Sequence, residues 1–489
     1  MAAADANAGL LVGVGTAMQD RAPGEGVDAV HLMIDAAKAA GADSGVNGLL
    51  ARVGRVYVSQ GTWRAPDAGR SIARAIGAPN ARSVFVQLGI PQQALIDQAL
   101  TAINRGDVEA ALVVGGEAKA RDDRARRAGI TLPSAGDTGT TPDEVQTPLS
   151  EIVAAAELAI GFVVPVQQYA AIDNAVRAAE GRSIPAHTAE IDTLWSRFDG
   201  VALTNPAAAF AAGRSAEQLR DPEPDNRMLA FPYNKWHATH WSVDQAGALL
   251  LCSRRLADEL GIESERRVYP LVSLESSHSV SLSKRAALHR WPAMNVLGHA
   301  AEAHLGVRLA DIELVELYSC FPAAVRIQQR ELGLALDRTP TMTGGMPFAG
   351  GPFNNFVFQA TAAMVQRLRT DPGQLGLVTT VSGLLTKPGL AIWSCDPGER
   401  APLLADLAEA AASATELRNV IEGYVGPAIV ATYTVRTGQS GLEAVVIGDT
   451  PDGDRVVAII SDPDAARAAL TDELIGRAIQ VDGTAATVA

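Results

Sequence analysis

A strand–elbow–helix–strand pattern in residues 83–118 constrains the fold of this chain more than any other stretch. The apolar runs 84–86 and 110–114 are typical of parallel strands whose sheet is covered on both faces. Between them, Pro91 favours the start of a helix and Gly106 favours its end. The N-terminus of this helix would direct free backbone N–H groups at the elbow, where an enzyme would place a nucleophile. We therefore predict a buried α/β unit with a candidate site at its elbow.

The same alternation of strand and helix patterns extends on both sides of this unit. One series begins at Leu10, and a second series repeats the order after residue 265. Strands that alternate with helices favour parallel sheets with helical crossovers, and two similar series favour a duplicated α/β half. We predict an N-terminal half from residues 1–118 and 243–265, and a C-terminal half from residues 266–396.

Three further segments fall outside these halves. Residues 119–242 interrupt the first half, and an insertion of this length is more often functional than a plain connection. Residues 397–417 are rich in alanine and leucine, which favours a helical connector. Residues 418–489 carry short β-rich runs separated by turn signals. They indicate a small closed or nearly closed β-barrel of the oligonucleotide/oligosaccharide-binding (OB) shape.

The charge and the cysteines exclude several classes of function. A formal charge of −14 at pH 7 disfavours a nucleic-acid or anionic-membrane partner, because both need a basic field. No run approaches the roughly 18 apolar residues of a membrane helix, and the N-terminus lacks the basic stretch of a signal peptide, so we expect a cytoplasmic protein. The three cysteines are too widely spaced to favour a disulfide framework or a zinc site: Cys252, Cys320 and Cys395.

Residues 88–94 (LGIPQQA) and 113–118 (VVGGEA) resemble the segment of the thiolase superfamily in which an elbow cysteine accepts the acyl group. The position of that cysteine falls on Leu88, which cannot act as a nucleophile. The resemblance covers residues 8–396 and implies an α/β fold, the duplicated thiolase fold with five layers (αβαβα). It also implies that residues 119–242 form the loop domain, which covers the substrate and grips coenzyme A.

The C-terminal segment makes the resemblance more specific. Ordinary thiolases lack such a tail, whereas residues 418–489 are similar to the barrel appended to type 1 thiolase-like proteins, which are related to the sterol-carrier-protein thiolases. More loosely, these residues resemble the free-standing barrel proteins that partner thiolase-like aldolases. Thiolases usually dimerise, but the type with the added barrel leads us to favour a monomer over a dimer.

Three other segments correspond to thiolase catalytic motifs. Residues 316–322 (ELYSCFP) resemble the HDCF motif, with Tyr318 in the place of the histidine. The paired glycines and the proline of residues 343–355 resemble the GHP segment, but its histidine falls on Gly351. The second catalytic cysteine falls on Val381. Because the acyl carrier and the base are both replaced, we predict neither a covalent acyl-enzyme nor acetyl-CoA acetyltransferase activity.

The resemblance leaves Tyr318 as the candidate catalytic residue, acting as a general acid or base. It implies substrate or coenzyme A contacts from a wider set of residues: Leu88, Gly89, Cys320, Gly350, Gly351, Asn354, Asn355, His240, Arg197 and Lys387. Simpler roles are also open. Leu88 could pack in the core, Cys320 could be a small buried hydrophobe, and Asn354 and Asn355 could cap the following helix.

Two main hypotheses of function follow from the resemblance. The first is a protein that binds coenzyme A or an acyl-CoA in lipid metabolism without the thiolase nucleophile, and that needs no other cofactor and no metal. The alternative is a retro-aldol or other carbon–carbon lyase acting on an acyl-CoA. In this enzyme Tyr318 would be the general acid or base, and the barrel would complete the site in cis. A structural or scaffolding subunit is a third possibility. The charged run 119–127 could meet the phosphates of coenzyme A or form a solvated helix face.

Overall fold

The computed structural model describes residues 6–132, 139–148 and 152–489 and has a mixed α/β architecture. Its strands, in chain order, are β1 (Gly9–Met18), β2 (Val53–Ser59), β3 (Arg82–Val86), β4 (Ala110–Ala118), β5 (Glu144–Gln146), β6 (Met228–Ala230), β7 (Tyr233–Asn234), β8 (Asp244–Ser253), β9 (Tyr269–Glu275), β10 (Leu314–Glu316), β11 (Leu375–Ser382), β12 (Lys387–Ser394), β13 (Leu403–Asp406), β14 (Val425–Gly438), β15 (Gly441–Asp449), β16 (Arg455–Ile460), β17 (Ala478–Asp482) and β18 (Ala485–Val488).

The α-helices, in chain order, are α1 (Ala29–Asp43), α2 (Ala68–Ala75), α3 (Gln92–Asn104), α4 (Lys119–Arg127), α5 (Ala155–Ala159), α6 (Pro165–Ala179), α7 (Ile184–Ala202), α8 (Ala216–Arg220), α9 (Arg254–Glu259), α10 (Pro292–Leu305), α11 (Pro322–Glu331), α12 (Gly345–Phe348), α13 (Phe356–Thr370), α14 (Ala408–Ala414) and α15 (Pro463–Ala468). Within the described residues, no helix is long and apolar enough to cross a membrane.

Two large sheets and a closed barrel organise these elements. The first sheet has the order β1-β8-β4-β2-β3-β5, and the second has the order β10-β11-β12-β9-β13. Strand β2 runs parallel to β3 and β4, as predicted, but β8 runs antiparallel to both β1 and β4. The expectation of purely parallel sheets is therefore wrong. The chain leaves β4 at Ala118 and re-enters the sheet at Asp244, directly opposite Ala118, so β8 runs back along β4.

Helices α3 and α13 form a layer between the two sheets. Helix α3 packs on β4 of the first sheet and on β9 and β12 of the second, while α13 packs on β8 and β11. Helices α1 and α2 cover the outer face of the first sheet, and α10 covers the second. The order is therefore helix, sheet, helix, sheet, helix, which confirms the five-layer fold.

The predicted strand–elbow–helix–strand unit is present as β3, the elbow, α3 and β4. Pro91 is the residue just before the helix, with φ −56°, rather than its first residue. Helix α3 ends at Asn104, and Gly106 follows with φ 75°, a left-handed conformation that a glycine adopts without strain. The N-terminus of α3 therefore faces the elbow, as the sequence pattern predicted.

The predicted helical connector is only partly helical. Residues 403–406 form strand β13, which pairs in parallel with β9 and brings Asp406 opposite Glu275. Helix α14 occupies only Ala408–Ala414. The prediction failed because the edge of β9 was not visible in the sequence, and this free edge offers backbone partners that outweigh the helix propensity of the segment.

Strands β14 to β18 close into a barrel that packs directly against α6. The barrel has its own apolar core, which includes the fully buried Tyr433. Asn174 of α6 donates its side-chain amide to the carbonyl oxygens of Tyr433 (3.0 Å) and Phe231 (3.2 Å). Thr432 donates to the carbonyl oxygen of Ala171 at 2.5 Å. These buried hydrogen bonds fix the barrel on the inserted segment.

We predict that Asn174→Ala lowers the free energy of unfolding by about 2 kcal/mol, because the buried carbonyl of Tyr433 loses the Asn174 donor and that of Phe231 keeps only the Thr434 hydroxyl as a side-chain donor. Urea denaturation followed by far-UV circular dichroism measures the change. Asn419→Ala is the matched control, since the Asn419 amide makes only an exposed contact with Asp454. If both variants unfold at the same urea concentration, the buried amide does not hold the barrel in place.

Candidate functional site

The elbow between β3 and α3 places Leu88 at the protein surface. The Leu88 side chain is 45% exposed, so the simpler alternative role considered for it, packing in the core, is wrong. The cause is the turn itself, in which Gly89 takes φ 103° and directs the chain outward before the helix begins. The backbone N–H of Leu88 donates to Oε1 of Gln60 at 2.9 Å. The elbow therefore carries an exposed apolar side chain where a thiolase carries a thiol.

Gln60 links the elbow to the segment that precedes α13. Its side chain accepts from the Leu88 N–H, and its carbonyl oxygen accepts from the Asn354 side-chain amide at 3.1 Å. Our sequence predictions did not include Gln60. The signal that could have identified Gln60 is its position directly after the buried strand β2, at the edge where β3 enters the elbow.

Tyr318 follows β10 and reaches the N-terminus of α3. Its hydroxyl interacts with the side chain of Gln92, the first residue of that helix, and Gln92 Oε1 in turn accepts from the Val357 N–H at 2.9 Å. Burial raises the pKa of Tyr318 well above its ordinary value. At neutral pH the hydroxyl therefore stays protonated and can donate a hydrogen bond, but it is a poor general base.

Lys387, the first residue of β12, contacts the elbow. Its side chain is buried, and Nζ donates to the carbonyl oxygen of Gly89 at 2.5 Å. Burial lowers the pKa of Lys387 below the usual lysine value. Val381 is buried in β11 opposite Pro388, so the position of the second thiolase cysteine is occupied by core packing.

A second group of predicted residues meets around the loop that precedes β8. The N–H of Gly351 donates to the carbonyl oxygen of His240 at 3.0 Å. The neighbouring Thr239 donates from its N–H (3.1 Å) and its hydroxyl (3.0 Å) to the carbonyl oxygen of Cys320. His240, Gly351 and Cys320 therefore lie together, held by backbone contacts.

The two glycines of this group have no room for side chains. A Cβ atom on Gly351 would lie 2.3 Å from Cγ2 of Thr239 and 3.1 Å from Cβ of Met346. A Cβ atom on Gly350 would lie 2.5 Å from Oε1 of Gln245, and Gly350 has φ 104°. The position of the thiolase histidine is therefore closed by packing, and a histidine there would displace its neighbours.

Burial suppresses the reactivity of the Cys320 thiol and of the His240 imidazole. Burial raises the pKa of the Cys320 thiol to about 12, so almost no thiolate is present at neutral pH. The His240 ring packs against Trp236, with ring centroids 4.3 Å apart, and against Phe210, at 5.0 Å. Burial lowers the pKa of His240 to about 4, so its imidazole is neutral at pH 7. The Cys320 thiol therefore does not replace the missing nucleophile, and the weakly basic imidazole of His240 does not replace the missing base.

The paired asparagines do not cap α13. Asn354 has φ 54° and donates to Gln60, while Asn355 immediately precedes the helix without a side-chain capping bond. Both amide atoms of Asn355 are buried without a hydrogen-bond partner among the described residues, and so is the hydroxyl of Ser59. Both side chains lie beside Gly115, within 2.8 Å of where its Cβ would be. Since buried amides normally have partners, Asn355 is an incomplete polar site.

The basic candidates lie away from this cluster. Arg197 is on α7, where its charge lowers the pKa of Arg326 on α11, and no contact given for the described residues links it to the elbow. The arginines of α4 are largely neutralised by acids: Arg121 with Asp122 (3.0 Å), Arg124 with Asp244 (2.6 Å) and Arg126 with Asp123 (2.8 Å). These ion pairs favour a solvated helix face over a phosphate site.

Comparisons with known proteins identify the scaffold. A family model described as the thiolase-like protein type 1 additional C-terminal domain matches residues 407–485. The crystal structure of a monomeric SCP2-thiolase-like protein type 1 from Mycobacterium smegmatis is similar over 99% of this chain and 100% of that chain, with 28% sequence identity and a TM-score of 0.84. This chain has a thiolase-like fold with an additional C-terminal domain.

More distant structures share the fold over about four fifths of this chain. An Ltp2–ChsH2(DUF35) aldolase matches with a TM-score of 0.59 and 17% identity, over 80% of this chain and 99% of that chain. An acetyl-CoA acetyltransferase from Syntrophomonas wolfei matches with a TM-score of 0.56 and 18% identity, over 79% and 99%. No curated protein sequence matches.

We predict that Gly351→Ala lowers the free energy of unfolding by about 1–3 kcal/mol, because the added methyl group overpacks the contact with Thr239. Thermal and urea denaturation measure the effect. Gly200→Ala is the matched control: its Cβ would meet nothing within 4 Å, and alanine is the better helix former, so this thiolase-like protein should be unchanged or slightly stabilised. Equal stability of the two variants would show that Gly351 is not held by packing.

Proposed function

We propose that this thiolase-like protein binds coenzyme A or an acyl-CoA in lipid metabolism and does not form an acyl-enzyme. The observation that carries the proposal is the buried amide of Asn355, which has no hydrogen-bond partner among the described residues. Its chain neighbour Asn354 is joined through Gln60 to the elbow, where Leu88 is exposed to solvent. A thioester carbonyl oxygen is a suitable acceptor for the Asn355 Nδ2–H group, and an apolar acyl chain is a suitable partner for Leu88. The ligand would then supply the hydrogen bond that the protein leaves unmade.

The replaced catalytic positions support binding without acyl transfer. Leu88 has no nucleophilic atom, Gly351 has no space for a histidine, and Val381 belongs to the core. A Claisen condensation needs a thiolate and a base at these positions. The fold likeness to an acetyl-CoA acetyltransferase motivates the choice of ligand class, and coenzyme A is the expected ligand rather than a permanently bound cofactor.

The first sheet supports a monomer as the functional unit. Strand β5 pairs in parallel with β3, with Val84 opposite Glu144 and Val86 opposite Gln146. It covers an edge that would otherwise offer free backbone groups to a second copy. The similar protein from Mycobacterium smegmatis is described as monomeric. We place this function in the cytoplasm, where the free cysteines of the chain would remain reduced.

A carbon–carbon lyase is the second candidate function. The Tyr318 hydroxyl lies at the N-terminus of α3, and one fold neighbour is an aldolase. The raised pKa of Tyr318 keeps its hydroxyl protonated, so in this role it would donate a hydrogen bond to the enolate oxygen and could not accept the substrate proton. The barrel packs on α6, and Tyr169 of α6 interacts with Cys320, so the barrel would complete the site through this helix.

We predict that the wild-type protein binds acyl-CoA in calorimetry and that Asn355→Ala weakens this binding about tenfold, the value of one hydrogen bond. Free coenzyme A, which lacks the thioester carbonyl, should bind both proteins within about twofold. Asn419→Ala, in an exposed part of the barrel, is the control and should bind like the wild type.

The same samples separate the two candidate functions. Mass spectrometry of the acyl-CoA recovered after incubation should show it intact if the protein only binds it. Cleavage that disappears in Tyr318→Phe would instead establish the lyase. Absence of any heat of binding for coenzyme A and for acyl-CoAs of several chain lengths contradicts the binding proposal.

A further inference from the structure

A cavity of about 330 Å³ lies behind the turn that joins β11 to β12. Its walls come from four parts of the chain: residues 278–291, the start of α10, the turn residues 385–386, and residues 414–416 that lead into the barrel. The backbone of residue 286 bonds to that of residue 416, so the cavity lies at the junction between the C-terminal half and the additional domain. It is separate from the contacts of Asn355 and Leu88.

Arg285 is the distinctive residue of this cavity. It lines the wall and is only 6% exposed. Its Nε and Nη2 atoms donate to the carbonyl oxygen of Val280 at 3.2 and 3.0 Å, and Nη2 also donates to the carbonyl oxygen of Leu384 at 2.6 Å. The Nη1 atom has no hydrogen-bond partner within residues 6–132, 139–148 and 152–489. The guanidinium group is therefore held rigidly, with one donor group unused.

No carboxylate neutralises this arginine by direct contact among the described residues. The acid that acts on it electrostatically, Glu157, already accepts from the N–H groups of Ala154 (3.0 Å) and Ser283 (2.7 Å). Burial lowers the pKa of Arg285 to about 10, which still leaves it charged at pH 7. A buried charge without a partner is unfavourable, and arginine cannot escape the penalty by losing its proton near neutral pH.

The other polar groups of the cavity do not supply the missing negative charge. Arg290, at the mouth, forms a two-bond ion pair with Glu331 at 2.6 and 2.9 Å, so this pair is neutral as a unit. Glu416 is exposed to solvent at the rim. His278 has a buried Nε2 without a partner, and burial lowers its pKa, so it is an uncharged polar group at pH 7.

We propose that this cavity binds a small organic carboxylate, with the carboxylate against Arg285 and its apolar body against the side chains of Val280, Trp291 and Leu385. A positive charge that no carboxylate contacts directly among the described residues matches a monoanion, and the two N–H groups of Nη1 can donate to carboxylate oxygen. The apolar walls match a hydrocarbon body better than they match inorganic phosphate. The site is independent of the proposed binding of coenzyme A, and its occupant would contact the turn that carries Lys387.

The test uses calorimetry on the full-length protein with sodium hexanoate as the probe. We expect hexanoate to bind, hexan-1-ol of the same length to show no binding, and inorganic phosphate to bind at least tenfold more weakly than hexanoate. Arg285→Gln should weaken hexanoate binding at least tenfold. Lys284→Gln is the matched control, because it removes a positive charge next in the chain but outside the cavity walls, and it should change binding less than twofold.

A second variant keeps the test decisive if Arg285→Gln does not fold. Ala287→Trp fills the cavity without removing a charge and should abolish hexanoate binding, while leaving acyl-CoA binding unchanged. The proposal is overturned if hexanoate does not bind, if hexan-1-ol binds equally well, if phosphate binds more tightly, or if hexanoate binding survives both Arg285→Gln and Ala287→Trp. Because acyl-CoA is measured on the same proteins, failure of this site and failure of the proposed function give different results.

Discussion

The packing of α3 between the two sheets is the constraint on which the site depends. This helix buries polar side chains as well as apolar ones: Gln93 donates to the hydroxyl of Ser273 at 2.5 Å and to Asp97 at 3.2 Å. A Cβ on Gly389 would lie 2.7 Å from the side chain of Gln93, so the second sheet approaches the helix closely. Burial raises the pKa of Asp97 to about 7, mainly through loss of solvation. The helix is therefore fixed in register on both sheets, and its N-terminus is fixed at the elbow.

Because α3 is fixed, the chain keeps the thiolase framework even though its catalytic positions have changed. The elbow remains open, but its side chain is apolar. The segment around Gly351 remains close to the elbow, but packing against Thr239 leaves no room for a base. The polar groups left behind, the Asn355 amide and the Ser59 hydroxyl, have no hydrogen-bond partners in the part of the chain that the structure describes. These features fit a site that holds a thioester better than one that transfers its acyl group.

The layered fold could be predicted from the sequence because it depends on local patterns. The apolar runs of β3 and β4 and the helix signals at Pro91 and Gly106 are each visible within a few residues. The antiparallel strand β8 and the edge strand β13 were missed because strand direction and edge pairing depend on partners more than a hundred residues away. Such pairings leave little trace in local composition.

The site was less predictable for a similar reason. The sequence placed Tyr318, Gly351 and Lys387 near the elbow through a resemblance, but it could not show that Leu88 is exposed or that Asn355 leaves its helix uncapped. Exposure at a turn and unpartnered polar atoms are properties of three-dimensional packing. Gln60, which joins Leu88 to Asn354, was missed because a single glutamine after a strand carries no motif.

The most direct test of this account compares native and denaturing mass spectrometry of the wild-type protein after incubation with an acyl-CoA. The account predicts a complex under native conditions that is lost completely on denaturation, because Leu88 provides no atom for acylation. Leu88→Cys, treated in the same way, tests whether a thiol at the elbow can be acylated and so calibrates the detection of an adduct. A covalent acyl adduct on the wild-type protein, or the absence of any native complex, would contradict the account.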